Sequence, residues 1–285
     1  MITGLRALRL AFALALFMLP PSIALAGAWL LPPGDWASDI RGTFFTADTY
    51  YDRDGERTRI AGGGALEQRS LAAWNEFGWK SRLGVFMAMP YVSTTRRFAD
   101  DTRLPAQTVL GDMRLGARFA LKGGATAVTM NATWKAPLGY NREIQPAPGL
   151  GQQDVAGTLA FGAPLAGRGF VEVEAGYNYR FEAPADQLVA SANAGLWFGR
   201  LLVGGRYDGA AAAGDGETPD DKISEHLVGP VFLYRVDDHI DLSAGSLHTA
   251  AGENVPHTNR VYVALTVKQS SLNRLQGLFG NAQQP

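Results

Sequence analysis

Residues 170–182 read FVEVEAGYNYRFE. Side chains along a strand point alternately to opposite faces. Val171, Val173, Ala175, Tyr177, Tyr179 and Phe181 therefore share one face, and Glu172, Glu174, Gly176, Asn178, Arg180 and Glu182 share the other. The pattern recurs. Val128, Met130, Ala132 and Trp134 oppose Thr129, Asn131, Thr133 and Lys135. Met113, Leu115, Ala117 and Phe119 oppose Asp112, Arg114, Gly116 and Arg118, and Val261, Val263, Leu265 and Val267 oppose Arg260, Tyr262, Ala264, Thr266 and Lys268. A Lys or Arg on a lipid-facing row costs about 2–4 kcal/mol at the bilayer midplane, so the apolar rows face lipid and the charged rows face a lumen. The fold expected is all-β: a transmembrane, antiparallel, up-and-down β-barrel of about twelve strands. The alternative is a soluble β-sandwich or lipocalin-like barrel, which also alternates but keeps its apolar face inside.

The strands are placed at 37–51, 65–79, 83–98, 110–121, 125–137, 154–164, 169–182, 186–198, 200–209, 222–236, 239–249 and 258–269. Their connections alternate between tight turns and longer loops rich in Gly, Pro, Asp and Asn, as in membrane barrels with short periplasmic turns and long external loops. The link at 183–185 falls where a long loop belongs and is short. Phe86 and Val92 make the third strand ambiguous. Aromatics near strand ends, among them Trp36, Trp79, Trp134, Tyr179, Phe181, Trp197, Phe198 and Tyr234, fit interfacial girdles.

Arg6 and Arg9, the apolar run LAFALALFML at 10–19, and Ala24-Leu25-Ala26 read as a Sec-type signal peptide cleaved after Ala26. The run is too short for a spanning helix, which needs about 20 residues, and nothing later supplies one. The division expected is 1–26 signal peptide, 27–272 barrel and 273–285 C-terminal periplasmic tail. Removing Arg6 and Arg9 from the 26 basic residues leaves 24 against 27 acidic ones, a net charge of −3. No basic patch points to nucleic acid. The chain has no cysteine, which excludes a lipoprotein anchor, disulfides and thiolate catalysis. A mean hydropathy of −0.06 is compatible with a barrel, because half of every strand is polar.

Short stretches resemble the outer-membrane barrels named for the MetA pathway of phenol degradation, which are distantly similar to fatty-acid channels. They are Met89-Pro90-Tyr91-Val92, GDMRLGARF at 111–119, Lys135-Ala136-Pro137-Leu138-Gly139, LGQQD at 150–154 and Gly176-Tyr177-Asn178-Tyr179-Arg180. The resemblance covers roughly Leu66–Gly209 and implies a barrel with an uptake role. Leu138 replaces the family's Thr, and Gln152 and Gln153 replace small residues. Gly27-Ala28-Trp29-Leu30-Leu31-Pro32 is similar to barrels encoded beside surface-polysaccharide or adhesin export machinery. Fatty-acid channels carry a substantial N-terminal plug; only residues 27–36 precede the first strand here, so no hatch is expected.

The lumen-lining candidates are Asp112, Arg114, Arg118, Lys135, Glu172, Glu174, Arg180, Arg206, Asp208, Arg260 and Lys268. Mixed signs fit either a lumen filled by ion pairs or a narrow polar pore for neutral or zwitterionic cargo. His226, His239, His248 and His257 lack metal-ligand spacing. Ser246 and His248 share a strand face but point outward in parallel, so no catalytic site is expected. The acidic loop with Asp215, Glu217, Asp220 and Asp221 reads as a solvated external loop. The function expected is a non-enzymatic outer-membrane channel for passive passage of small, aromatic or hydrophobic molecules. A structural barrel supporting polysaccharide, adhesin or biofilm export is the alternative. No cofactor or metal is expected. The expected partners are outer-membrane lipids and lipopolysaccharide, the barrel assembly machinery and small-molecule cargo.

Overall fold

The computed structural model describes residues 27–269, except 61, 62, 99, 101, 103, 105, 106, 142–148, 150, 166, 215 and 217. The signal-peptide and tail readings, and Asp215 and Glu217, lie outside the described residues.

Twelve strands form one closed antiparallel ring. They are β1 (Trp36–Ala47), β2 (Ala65–Lys80), β3 (Leu83–Arg97), β4 (Asp112–Lys122), β5 (Ala127–Pro137), β6 (Asp154–Leu165), β7 (Gly169–Arg180), β8 (Gln187–Phe198), β9 (Leu201–Ala212), β10 (Ser224–Arg235), β11 (Ile240–Glu253) and β12 (Asn259–Lys268). Each pairs with its sequence neighbours, and β1 closes the ring on β12, from Ala37 opposite Lys268 to Thr46 opposite Asn259. The short strand Gln107–Leu110 continues β4 along β3. The break falls at Pro90, which brings no N–H to the ladder; its carbonyl accepts the Gly111 N–H at 2.8 Å.

The expected loop at 250–257 is largely strand, and the one at 52–64 contains a short strand. β11 runs on to Glu253, and Thr49–Tyr51, Arg57–Arg59 and Val255–Pro256 form a three-stranded sheet at the long-loop end. The Asp52 carboxylate accepts the Asp54 and Glu56 N–H groups (3.0 and 2.9 Å), and Gly55 takes φ +74°, which turns the chain tightly enough to pair. The short link after β7 holds because Asp186 accepts the Arg180 N–H (2.7 Å) and Ala185 N–H donates to the Asp221 carbonyl (3.0 Å).

Burial is inverted relative to a water-soluble barrel. Leu71, Leu159, Leu188, Val261 and Val263 stand exposed, while Asp39, Glu76, Thr129, Asp241, Thr249 and Thr266 are buried. The register keeps like with like: Glu172 lies opposite Asn193 and Glu174 opposite Ser191, whereas Val173 lies opposite Phe161 and Ala192. A slip of one residue would turn every charge toward lipid. This is a membrane-spanning barrel, not a lipocalin-like one. Phe86 and Val92 do not break the alternation; they are buried on the lumen side, with Val85 and Tyr91 on the other face. β10 is apolar on both faces: Val228, Phe232 and Tyr234 are exposed, while Leu227, Val231 and Leu233 are buried. Leu159, at mid-strand, is 56% exposed. Leu159→Arg is expected to lower barrel stability by about 2–4 kcal/mol, read from the urea midpoint of the barrel in lipid vesicles. An unchanged midpoint would place this face of β6 away from lipid.

The expectation of no hatch is wrong. Residues 27–35 fold into the tight-turn end of the barrel. Ala28 and Leu31 are buried, and Ala28 clusters with Ala127 and Ala160 beside Trp29. Trp29 Nε1 donates to the Gly124 carbonyl (3.2 Å), its ring meets Phe170 edge-on, and Gly34 N–H donates to the Gly78 carbonyl (2.7 Å). The segment is short, but at about 3.3–3.6 Å per extended residue it can run from the barrel rim well into the lumen.

Candidate functional site

The barrel encloses a lumen cavity of about 430 Å³. Gly27 reaches it, and the other lining side chains include Arg41, Trp74, Phe86, Arg114, Arg118, Asn131, Glu172, Glu174, Asn193 and Arg206.

One side is built on Arg118. Its Nη1 lies 3.1 Å from Glu76 Oε2, and its guanidinium sits 5.5 Å from the centroid of Trp74 and 5.2 Å from that of Phe86. The two rings stack at 4.3 Å, 5° from parallel. Glu76 and Arg118 come from β2 and β4, with β3 between them, so the pair bridges across the lumen side. Gly116, opposite Phe86 in the ladder, makes this possible: a Cβ there would overlap the Phe86 ring. A second guanidinium, Arg206, is gripped by Asp208 through Nε (2.7 Å) and Nη2 (2.9 Å). Arg41 lies 3.8 Å from Asp39 and 4.7 Å from the Tyr262 ring centroid. Arg114 is exposed, and no described side chain pairs with it.

β7 adds two acids to the same cavity. Glu172 accepts from Ala28 N–H (2.8 Å) and Asn193 Nδ2 (3.5 Å), and Glu174 accepts from Asn131 Nδ2 (3.0 Å) and the Thr158 hydroxyl.

The remaining candidates lie elsewhere along the barrel. At the long-loop end, Lys135 Nζ bridges Asp154 (2.7 Å) and Asp112 (3.4 Å). Tyr140 folds over this pair, donating to Asp112 at 2.5 Å and accepting the Gly151 N–H at 2.8 Å. Burial, then the bond to Asp112, hold the Tyr140 hydroxyl well above the ordinary phenol range, so it stays a neutral donor. Arg180 donates to Gln187 Oε1 (2.7 Å) and the Ala185 carbonyl (3.1 Å), and Arg260 pairs with Glu225. At the tight-turn end Lys268 pairs with Asp241. Arg114, Arg118, Glu172, Glu174 and Arg206 thus share one cavity, Asp208 supports it, and Asp112, Lys135, Arg180, Arg260 and Lys268 stand outside its wall.

His248 and His257, nine residues apart in the chain, meet at 4.7 Å between ring centroids. Among the described residues no three His, Asp or Glu side chains group as metal ligands.

The family model that matches this sequence is described as putative MetA-pathway of phenol degradation, and the match runs from residue 47 to 265. The chain belongs to this family. The match is wider than the Leu66–Gly209 suggested by the short motifs. An outer membrane channel from Pseudomonas putida F1 shares the barrel with a TM-score of 0.71 at 15% identity, over 85% of this chain and 98% of that one. The NanC porin does so with a TM-score of 0.50 at 9% identity, over 81% and 99%. No curated protein matches by sequence. At such identities the shared property is the fold.

Within this MetA-pathway family barrel, sequence reasoning passed over Arg41, Trp74, Glu76 and the 27–35 segment. Two signals were present. Asp39 and Arg41 alternate within WASDIRG. Glycines inside strands mark close backbone approach, and a Cβ on Gly78 would lie 2.6 Å from the Leu31 carbonyl oxygen, one on Gly162 2.8 Å from Ala28 Cβ.

Proposed function

We propose that this barrel is an outer-membrane channel for passive passage of small molecules, aromatic or hydrophobic ones included. The observation that carries the reading is the lumen cavity, lined by guanidinium groups, two carboxylates and a stacked Trp74–Phe86 pair. A dry cavity of about 150 Å³ holds benzene, so about 430 Å³ takes a single-ring solute with water. Walls of both signs favour neutral or zwitterionic cargo over strong ion selectivity. The eleven lumen candidates are assigned this role: five at the cavity and the rest as polar filling that shapes the path. Export by the signal peptide, insertion by the barrel assembly machinery and packing against lipopolysaccharide complete the reading.

Single-channel recording in planar bilayers tests it. Stepwise openings blocked by a monoaromatic solute support a substrate channel, and a folded, heat-modifiable barrel that never conducts overturns it. The second reading, a structural barrel supporting surface export, is favoured by the N-terminal segment in the lumen and by the ion-paired interior. In a conducting barrel Arg114→Ala is expected to leave stability within about 0.5 kcal/mol, because Arg114 lacks a described partner. It should shift permeability toward cations, measured as reversal potential in a salt gradient. An unchanged potential removes Arg114 from the ion path.

A further inference from the structure

The backbone of Ala28 is held at both of its polar groups. Ala28 N–H donates to Glu172 Oε1 at 2.8 Å, and Thr129 Oγ1 donates to the Ala28 carbonyl at 2.6 Å. A Cβ built on Gly27 would lie 2.7 Å from Glu174 Oε2 and 3.2 Å from Glu172 Oε1. Residue 27 is therefore seated against both acids, and only glycine fits without displacing one of them. Glu172 is 3% exposed. No described Lys or Arg forms an ion pair with either glutamate: Arg118 is held by Glu76 and Arg206 by Asp208. Two carboxylates two positions apart on β7 share a lumen site in which the arginines of the cavity stand beyond ion-pair distance, although buried charge is ordinarily paired directly.

We infer that the directly contacting cation is the α-ammonium of Gly27, and that Glu172 and Glu174 are the receptor site for the processed amino terminus. The inference rests on cleavage after Ala26. Hydrolysis adds water across the Ala26–Gly27 amide, leaving the carboxylate on the departing peptide and the amine on Gly27. An α-amino group has an ordinary pKa of about 7.7–8.0 and takes up a proton at neutral pH. The new charge arises on the one residue that already lies against both acids. Ala28 and Trp29 follow it into space left by Ala160 and Gly162. Processing then does more than remove the signal: it creates the group that fastens the N-terminal segment inside the barrel.

The absence of cysteine provides a clean probe. Leu31 is buried in the seated segment, so Leu31→Cys carries the only thiol. The chain is expressed as Met-Gly27, from which aminopeptidase removes the methionine, then refolded with and without prior enzymatic Nα-acetylation. The rate of reaction with a water-soluble maleimide is measured on folded barrels of unchanged gel mobility. Acetylation is expected to speed labelling about tenfold or more, the loss of a charge-assisted hydrogen bond. Glu172→Gln with Glu174→Gln should do the same, and acetylation should add nothing in that background. Should the double variant fail to fold, Glu174→Gln alone replaces it. Equal rates for the free and acetylated chains would overturn the inference. The readout needs no conduction, so a barrel that does not conduct tests the channel reading separately.

Discussion

Arg118→Ala is expected to destabilise the barrel by about 3–5 kcal/mol, the usual result of removing one partner from a buried ion pair. Glu76 is 2% exposed and faces Arg118 at 3.1 Å. Without the guanidinium its carboxylate stays buried with no cation, and the Trp74–Phe86 stack loses the charge that lies over both rings. The control is Glu76→Leu with Arg118→Met, which removes both charges and is expected to recover most of the loss. Urea midpoints in lipid vesicles measure both. A single variant as stable as wild type would mean that water reaches Glu76 and screens it. Sequence spacing alone groups Arg114 with Arg118 as one permeability test, since both fall on the lumen row of β4. The structure separates them: Arg118 holds the wall together, and Arg114 is the residue whose charge can be removed without unfolding.

Deleting residues 27–33 is expected to raise single-channel conductance severalfold while leaving the barrel folded. The deletion spares Gly34 and Asp35, whose backbone groups pair with Gly78 (2.7 and 2.9 Å), and β1 begins only at Trp36. What it removes is Gly27, which lines the cavity, and the buried Ala28 and Leu31 at the tight-turn end. Gly162→Val tests the same point without shortening the chain, because a side chain there overlaps Trp29 and Ala28. Conductance unchanged in both variants would show that solutes already pass beside the segment, or that the constriction lies at the Lys135–Asp112–Tyr140 end.

The strands were legible because a barrel wall imposes a period of two on every segment that crosses the bilayer. Val173 against Glu172 and Val263 against Tyr262 each declare their side within two residues. Phe86 misled because a lumen tolerates apolar side chains wherever they pack, as Leu233 and Val231 also do. A row of charges announces the lumen; a row of apolar residues does not announce lipid. The loop boundaries at 250–257 were missed because pairing beyond the membrane depends on strands distant in sequence, Tyr51 opposite Val255.

By itself the sequence determined the membrane barrel, most strand positions, the side the charged rows face and the family. Those properties follow from alternation and from the cost of charge in lipid, which act on neighbouring residues. Only the tertiary structure decided which charges meet. Glu76 reaches Arg118 across an intervening strand, and Glu172 and Glu174 reach Gly27 and Ala28 from a part of the chain far removed in sequence. Closing the ring sets those distances, and a lumen partner is fixed by barrel geometry, not by spacing along one strand.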